Sequence, residues 1–164
     1  MKEKSKKDVS RYLPLLVFLL ALLVRLIFLF YFTEADKPPV GDVWHHWQIA
    51  YLSKEVGFKR GFLRIWDFRG MGYYWGLLHP LVLILGFIIS GSISIIIPRI
   101  ISALFASGTI ALIFLIVDRY FNRKTALASA IFLTFLPVGI FHETLGLQEP
   151  LALFFLIWGI YLFP

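Results

Sequence analysis

Five apolar stretches, separated by polar ones, set the pattern of this chain. Leu13 to Phe32 is almost uniformly apolar, interrupted only by Pro14 and Arg25. Such a run is long enough to cross a hydrocarbon core of about 30 Å. It follows a basic start (Lys2, Lys4, Lys6, Lys7, Arg11) that mimics the head of a signal peptide. The run exceeds a signal core in length, and no small-x-small cleavage site follows it, so a retained first transmembrane helix is expected over 12–32. Thr33 to Gly70 is the only extended polar segment after the N-terminus. Tyr73 to Ser90 is apolar again but broken by His79-Pro80 and flanked by Gly72, Gly76 and Gly91. Cleaner apolar runs follow at Ile95–Val117, Thr125–Phe141 and Pro150–Phe163, separated by Asp118–Lys124 and His142–Glu149. Pro150 suits the first turn of a helix, where its missing N–H costs nothing.

Composition turns this pattern into a statement about solvent. With 59% hydrophobic residues in 164, the chain has more apolar surface than a soluble domain of that size can bury. The formal charge of +6 does not point to nucleic acid, because the basic residues flank apolar runs and form no stripe. There is no cysteine, which excludes a disulfide framework and a thiolate nucleophile or metal ligand. Arg25 is costly in lipid and is expected either to snorkel or to face the bundle interior.

Topology turns on whether Tyr73–Ser90 crosses the membrane. If it does not, Arg119, Arg123 and Lys124 share the cytoplasmic side with the N-terminal lysines, as the positive-inside rule favours. The His79-Pro80 break also suits a re-entrant or interfacial helix packed on protein. The expected architecture is therefore an all-α polytopic transmembrane bundle. Its four spans lie at about 12–32, 96–117, 125–141 and 149–163. The extracytoplasmic loop 33–95 is expected to carry interfacial helices near 43–56 and 72–90. Asp42 and the His142–Glu149 stretch then share the extracytoplasmic face, with the N-terminus in the cytoplasm.

Within that loop, Gly41-Asp42-Val43-Trp44-His45-His46-Trp47 leads into Ile49, Ala50 and Tyr51. At about 100° per residue, Trp44, Trp47 and Tyr51 share one helix face, and Asp42, His45 and His46 the other, with Ile49 intruding. The aromatic face suits a headgroup layer and the polar face a cleft. Asp42 is equally well placed to cap this helix or to act as a base. His45 and His46, at i+3 and i+4, could join it on a divalent cation, Mg or Mn, but adjacent histidines diverge by about 100°. Polar lining of a wet cleft is the better reading for both.

In order along the chain, these motifs resemble the start of the GT-C glycosyltransferases, in the branch of the protein O-mannosyltransferases and aminoarabinose transferases. The correspondence runs through Gly41-Asp42-Val43-Trp44-His45-His46, Leu77-Leu78-His79-Pro80-Leu81, Pro98-Arg99-Ile100, the basic turn Asp118–Lys124, Leu136-Pro137 and Leu145-Gly146-Leu147-Gln148-Glu149-Pro150. The chain departs from the family in having Asp42-Val43 for Asp-Glu and His79-Pro80 for two prolines. The arginine often found before the second acid is also absent, with His142-Glu143 nearby instead.

The resemblance implies an inverting transfer of a sugar from a polyprenyl- or dolichyl-phosphate donor to a protein, lipid or glycan acceptor. It implies a cell or ER-type membrane, and relatives several times longer, of which this chain would be an N-terminal part inactive alone. Asp42 would take the acceptor proton, because a carboxylate must do so as the hydroxyl attacks the anomeric carbon. Glu149 would orient the acceptor or help hold a cation, and Arg99 would face the lipid phosphate, with His46, His45, His79 and Arg69 as further substrate contacts. Arg64 and Trp66-Asp67 rank below these. The ordinary alternatives are a first-turn acid at Glu149 and an interfacial arginine at Arg99. A non-catalytic assembly module or inactive remnant is the competing class. A small transporter using Asp42 and the histidines as a proton relay comes third, since these acids sit near the boundary and not mid-span.

Overall fold

The computed structural model describes residues 2–56 and 78–163, and these form seven α-helices and one π-helical turn. Helix α1 (Lys2–Ile27) runs into the π turn Phe28–Phe32, and α2 spans Asp42–Val56. After residues 57–77 come α3 (Leu78–Ser90), α4 (Ile96–Tyr120) and α5 (Arg123–Phe135). Helices α6 (Pro137–Glu143) and α7 (Glu149–Leu162) complete the described part.

The stretch Tyr12–Phe32 and helix α4 are long and apolar enough to cross a bilayer, and α5 with α6 makes a third if that bent pair is one span. The expected continuous helix over 125–141 is instead broken, with a bend of 62°. Pro137 is the cause. It crowds the preceding residue out of the helical region, and Leu136 adopts φ −68°, ψ 111°. Pro137 then starts α6, where its missing N–H is harmless. Helix α3, with 13 residues, is about 20 Å long and falls short of a 30 Å core. Helix α7, with 14 residues, is also short of that length.

The hub is α4, which packs against α1, α5 and α7. One core cluster joins Val17 and Ala21 of α1, Ile110 and Phe114 of α4, and Ala126 and Ala130 of α5. The alanines let the helix axes approach, which is how helices associate where lipid removes the hydrophobic drive between them. Gly108 of α4 does the same for α7, since a Cβ there would lie 2.8 Å from the Phe154 ring. Leu15, Leu16, Leu19, Leu23 and Ile27 point away from the bundle, as a lipid-facing surface requires. Between α4 and α5, Asn122 caps α5 by accepting the Thr125 N–H at 3.0 Å.

A second cluster docks α2 onto α3 and α4 through Ala50, Leu83, Ile84, Phe87 and Ile101. The third joins the start of α2 to the loop after α6, through Val43, Ile95, Leu145 and Leu147. This third cluster fixes where the candidate residues lie.

Candidate functional site

Asp42 occupies the first turn of α2, with its side chain exposed and without a hydrogen bond among the described residues. The next residue, Val43, is fully buried against the loop between α6 and α7. That contact depends on Gly146, whose φ of +92° suits only a residue without a side chain. A Cβ at Gly146 would fall 2.7 Å from Val43 Cγ2 and 3.2 Å from the Arg99 backbone nitrogen. The segment bearing Asp42 and the loop leading to Glu149 are thus pressed together at one end of the bundle. Glu149 stands exposed in the first turn of α7, where the helix dipole favours its charge.

Arg99 holds this end together. Its Nε donates to the Thr144 carbonyl at 2.8 Å, and Nη1 donates to the Glu34 and Ala35 carbonyls at 2.7 and 3.0 Å. Nη2 donates to Thr33 Oγ1 at 3.1 Å. The side chain is 1% exposed. Four of the five guanidinium N–H groups are therefore engaged by protein, three on carbonyls of segments that form no regular structure. In this arrangement Arg99 is a clamp between the exit of the first span and the 144 loop, and not an open phosphate ligand.

The two adjacent histidines part company. His45 is exposed beside Asp42, whereas His46 is fully buried. The buried residues of α2 are Val43, His46, Ile49, Ala50 and Ser53, and His46 and Ala50 meet α3, so His46 does not line an open cleft as expected. Its ring packs edge-to-face on His79, with centroids 4.5 Å apart. Burial pushes the His46 imidazole down to about 4, opposed by the Asp42 carboxylate one turn earlier and assisted by His45. Burial, and secondarily His46, pushes His79 down to about 3. Both rings are neutral near pH 7 and serve as packing groups. On its far side His79 lines a cavity of about 150 Å³ with Leu78, Gln148, Leu151 and Ala152, so the pair connects α2 to the start of α7.

The aromatic face of α2 forms as expected. Trp47 and Tyr51 stack at 5.2 Å, Trp44 meets Trp47 edge-on at 6.0 Å, and Trp47 Nε1 donates to the Ile93 carbonyl at 2.6 Å. Among the described residues no three His, Asp or Glu side chains converge to hold a metal ion, and the proposed trio of Asp42, His45 and His46 is split by the burial of His46. Arg69, Arg64, Trp66 and Asp67 lie outside the described residues.

A cleft of about 430 Å³ opens between α4, α6 and α7 beside Glu149. It brings in a residue to which no role had been assigned, Glu143, whose Oε2 accepts from Arg25 Nε at 2.7 Å and also from Nη2. Arg25 is fully buried, and its Nη1 donates to the Ala21 carbonyl at 3.0 Å. Of the two fates open to Arg25, the bundle interior is the one realised. The signal for its partner was the arginine itself: a cation deep in an apolar run calls for an acid on a neighbouring helix. Comparison with protein-family models, curated proteins and solved structures finds no match for the chain.

Proposed function

We propose that this chain is part of a membrane glycosyltransferase that passes a sugar from a polyprenyl- or dolichyl-phosphate donor to an acceptor hydroxyl on the extracytoplasmic face. The observation that carries the reading is the seating of Val43 on Gly146, Leu145 and Leu147, which gathers Asp42 and the approach to Glu149 at one end of the bundle. In this reading the chain crosses the bilayer four times, through Tyr12–Phe32, α4, the bent pair α5–α6 and α7. Helices α2 and α3 lie on the outer face, with the aromatic face of α2 at the headgroups. Asp42, exposed and without a hydrogen-bond partner among the described residues, accepts the proton of the attacking hydroxyl. The developing phosphate charge needs a cation; Arg99 is occupied, and Lys37 and Lys54 pair with Glu34 and Glu55, which leaves His45, a bound divalent ion, or the basic residues of 57–77.

The test is transfer from radiolabelled polyprenyl-phosphate sugars by the native protein in its own membranes, with Asp42→Asn alongside. The asparagine keeps the size and shape of the side chain and removes the base, so transfer should fall by roughly 10²- to 10⁴-fold. Near-normal transfer by that variant removes Asp42 from the role. Absence of transfer from every donor tried leaves the non-catalytic module as the function. Orientation is checked separately. The chain has no cysteine, so single cysteines at His45 and Lys4 should react with an impermeant maleimide from opposite sides.

A further inference from the structure

The cleft between α4, α6 and α7 has a polarity of its own. Its walls are apolar, formed by Ala106, Leu136, Val138 and Leu153, and its polar residues are His142, Glu143 and Glu149. Those three lie at the C-terminal end of α6 and the N-terminal end of α7, next to the short loop that joins the two helices. Leu136 and Val138 are at the opposite end of α6, and Leu153 is one turn further along α7. The cleft therefore offers an apolar trough with a polar end, and at about 430 Å³ it is of the size that holds a small-molecule ligand.

The sign of that polar end selects the ligand. Arg25 takes up Oε2 of Glu143 and spends a further donor on the Ala21 carbonyl, and it is fully buried behind the carboxylate. Oε1 accepts no hydrogen bond from the described residues and lies on the side of Gly139, another wall residue, 3.8 Å from where a Cβ would stand. The lining holds no lysine or arginine. An anionic head would meet Oε1 and the Glu149 carboxylate with no lysine or arginine in the lining to receive it, and only His142 beside them. A hydroxyl or an ammonium group would instead donate to them.

We propose that this cleft binds an amphipathic molecule with an apolar chain and a hydrogen-bond-donating, non-anionic head, a hydroxyl or an amine. Glu143 Oε1 and Glu149 receive the head, and Arg25 is the positioning residue that fixes the Glu143 carboxylate. The binding does not depend on the transferase reading, because it is measured without turnover.

The experiment uses the protein in phosphatidylcholine nanodiscs with three photoreactive sixteen-carbon probes that differ only in the head: alcohol, primary ammonium or phosphate monoester. Labelled residues are mapped by mass spectrometry, with labelling of the outward face of α1 (Leu19, Leu23) as the internal reference for folding. The ammonium and alcohol probes should label α6 and the start of α7 at least about tenfold more than the phosphate probe, the scale of one charge-assisted hydrogen bond. Leu153→Trp, which fills the trough without touching charge, should abolish that labelling and leave the reference unchanged. The double variant Glu143→Gln, Glu149→Gln should bring ammonium and phosphate towards parity. Equal labelling of wild type by all three heads would show a groove filled by bulk lipid and overturn the proposal. Labelling that survives Leu153→Trp would overturn it as well.

Discussion

Gly146→Ala is the sharpest test of how the candidate site is assembled. The substitution adds one methyl group at a backbone φ of +92°, and that group would stand 2.7 Å from Val43 Cγ2, 3.1 Å from Arg99 Cγ and 3.2 Å from the Arg99 backbone nitrogen. Two costs follow. A side chain in this backbone region costs about 1–2 kcal/mol, and forcing a methyl into a packed contact costs about 1–3 kcal/mol more. Gly91 separates the two, because its φ is +63° and nothing lies within 4 Å of its would-be Cβ. Gly91→Ala should therefore carry the backbone cost alone. Thermal unfolding of the purified protein in detergent, followed by tryptophan fluorescence, should place Gly146→Ala below Gly91→Ala by about 1–3 kcal/mol. For a chain of this size that corresponds to roughly 2–12 °C. On the proposed transferase reading, transfer should fall in Gly146→Ala and persist in Gly91→Ala, since only the first moves Val43 and with it Asp42. Equal melting of the two variants would mean that Val43 does not rest on Gly146, and the common site for Asp42 and Glu149 would lose its foundation.

Three further outcomes follow from the same contacts. Glu143→Ala should destabilise by about 3–5 kcal/mol by stranding the fully buried Arg25, Arg25→Ala should cost less because Glu143 is partly exposed, and Arg25→Met with Glu143→Leu should recover most of the larger loss; detergent unfolding of the three variants decides. Arg99→Lys should lower stability by about 2–3 kcal/mol, because a lysine cannot reproduce the planar set of bonds to Thr144, Glu34, Ala35 and Thr33, and limited proteolysis should cut the 33–41 segment faster. The histidine pair sets a pH dependence: both rings are held neutral in the fold, so the unfolded chain binds more protons below pH 6.5. Stability should then fall as pH drops from about 6.5, by up to about 1.4 kcal/mol per pH unit for each histidine, levelling only near their folded values of about 4 and about 3. Comparing unfolding midpoints of wild type and His79→Leu between pH 7 and 5 isolates the effect, and parallel curves would refute it.

The long helices were legible because their signal is local and repeated. Tyr12–Phe32 and α4 stand out as apolar runs of spanning length, and the aromatic face of α2 follows from positions 44, 47 and 51 alone. What escaped depends on partners remote in the chain. The helical wheel put His46 with Asp42 and His45 on a polar face, but the face that buries is set by α3. Ala50 and Ser53, both small and buried at helical spacing from His46, mark it once α3 is known to be there. Arg25 and Glu143 are 118 residues apart, so nothing near either one names the other. Leu136-Pro137 did carry its own warning, since a residue before proline avoids the helical region, yet the apolar run continuing to Phe141 outweighed it. Gly146 sits between two leucines with no turn composition around it, and its left-handed backbone is imposed by the docking of Val43.

These contacts also sort the polar residues by what they can do. Arg99 and Arg25 are committed to the protein through hydrogen bonds, one clamping loops and the other anchoring a carboxylate, while the His46–His79 pair fills a helix junction by ring packing. A group whose hydrogen-bonding capacity is consumed by the fold has little left to offer a ligand, and releasing it would strand buried partners at about 1–3 kcal/mol each. Asp42, His45, Glu149 and one oxygen of Glu143 keep their capacity open, and all are carried by segments that the committed groups hold in place. The polar groups left open at this end of the bundle are therefore a minority, and three of the four are carboxylates. An acidic site can take a proton from a hydroxyl but cannot by itself receive a leaving phosphate. For the transferase reading to hold, a cation must be supplied by His45, by a bound divalent ion, or by the basic residues of the 33–95 loop, Lys37, Lys54, Lys59, Arg60, Arg64 and Arg69.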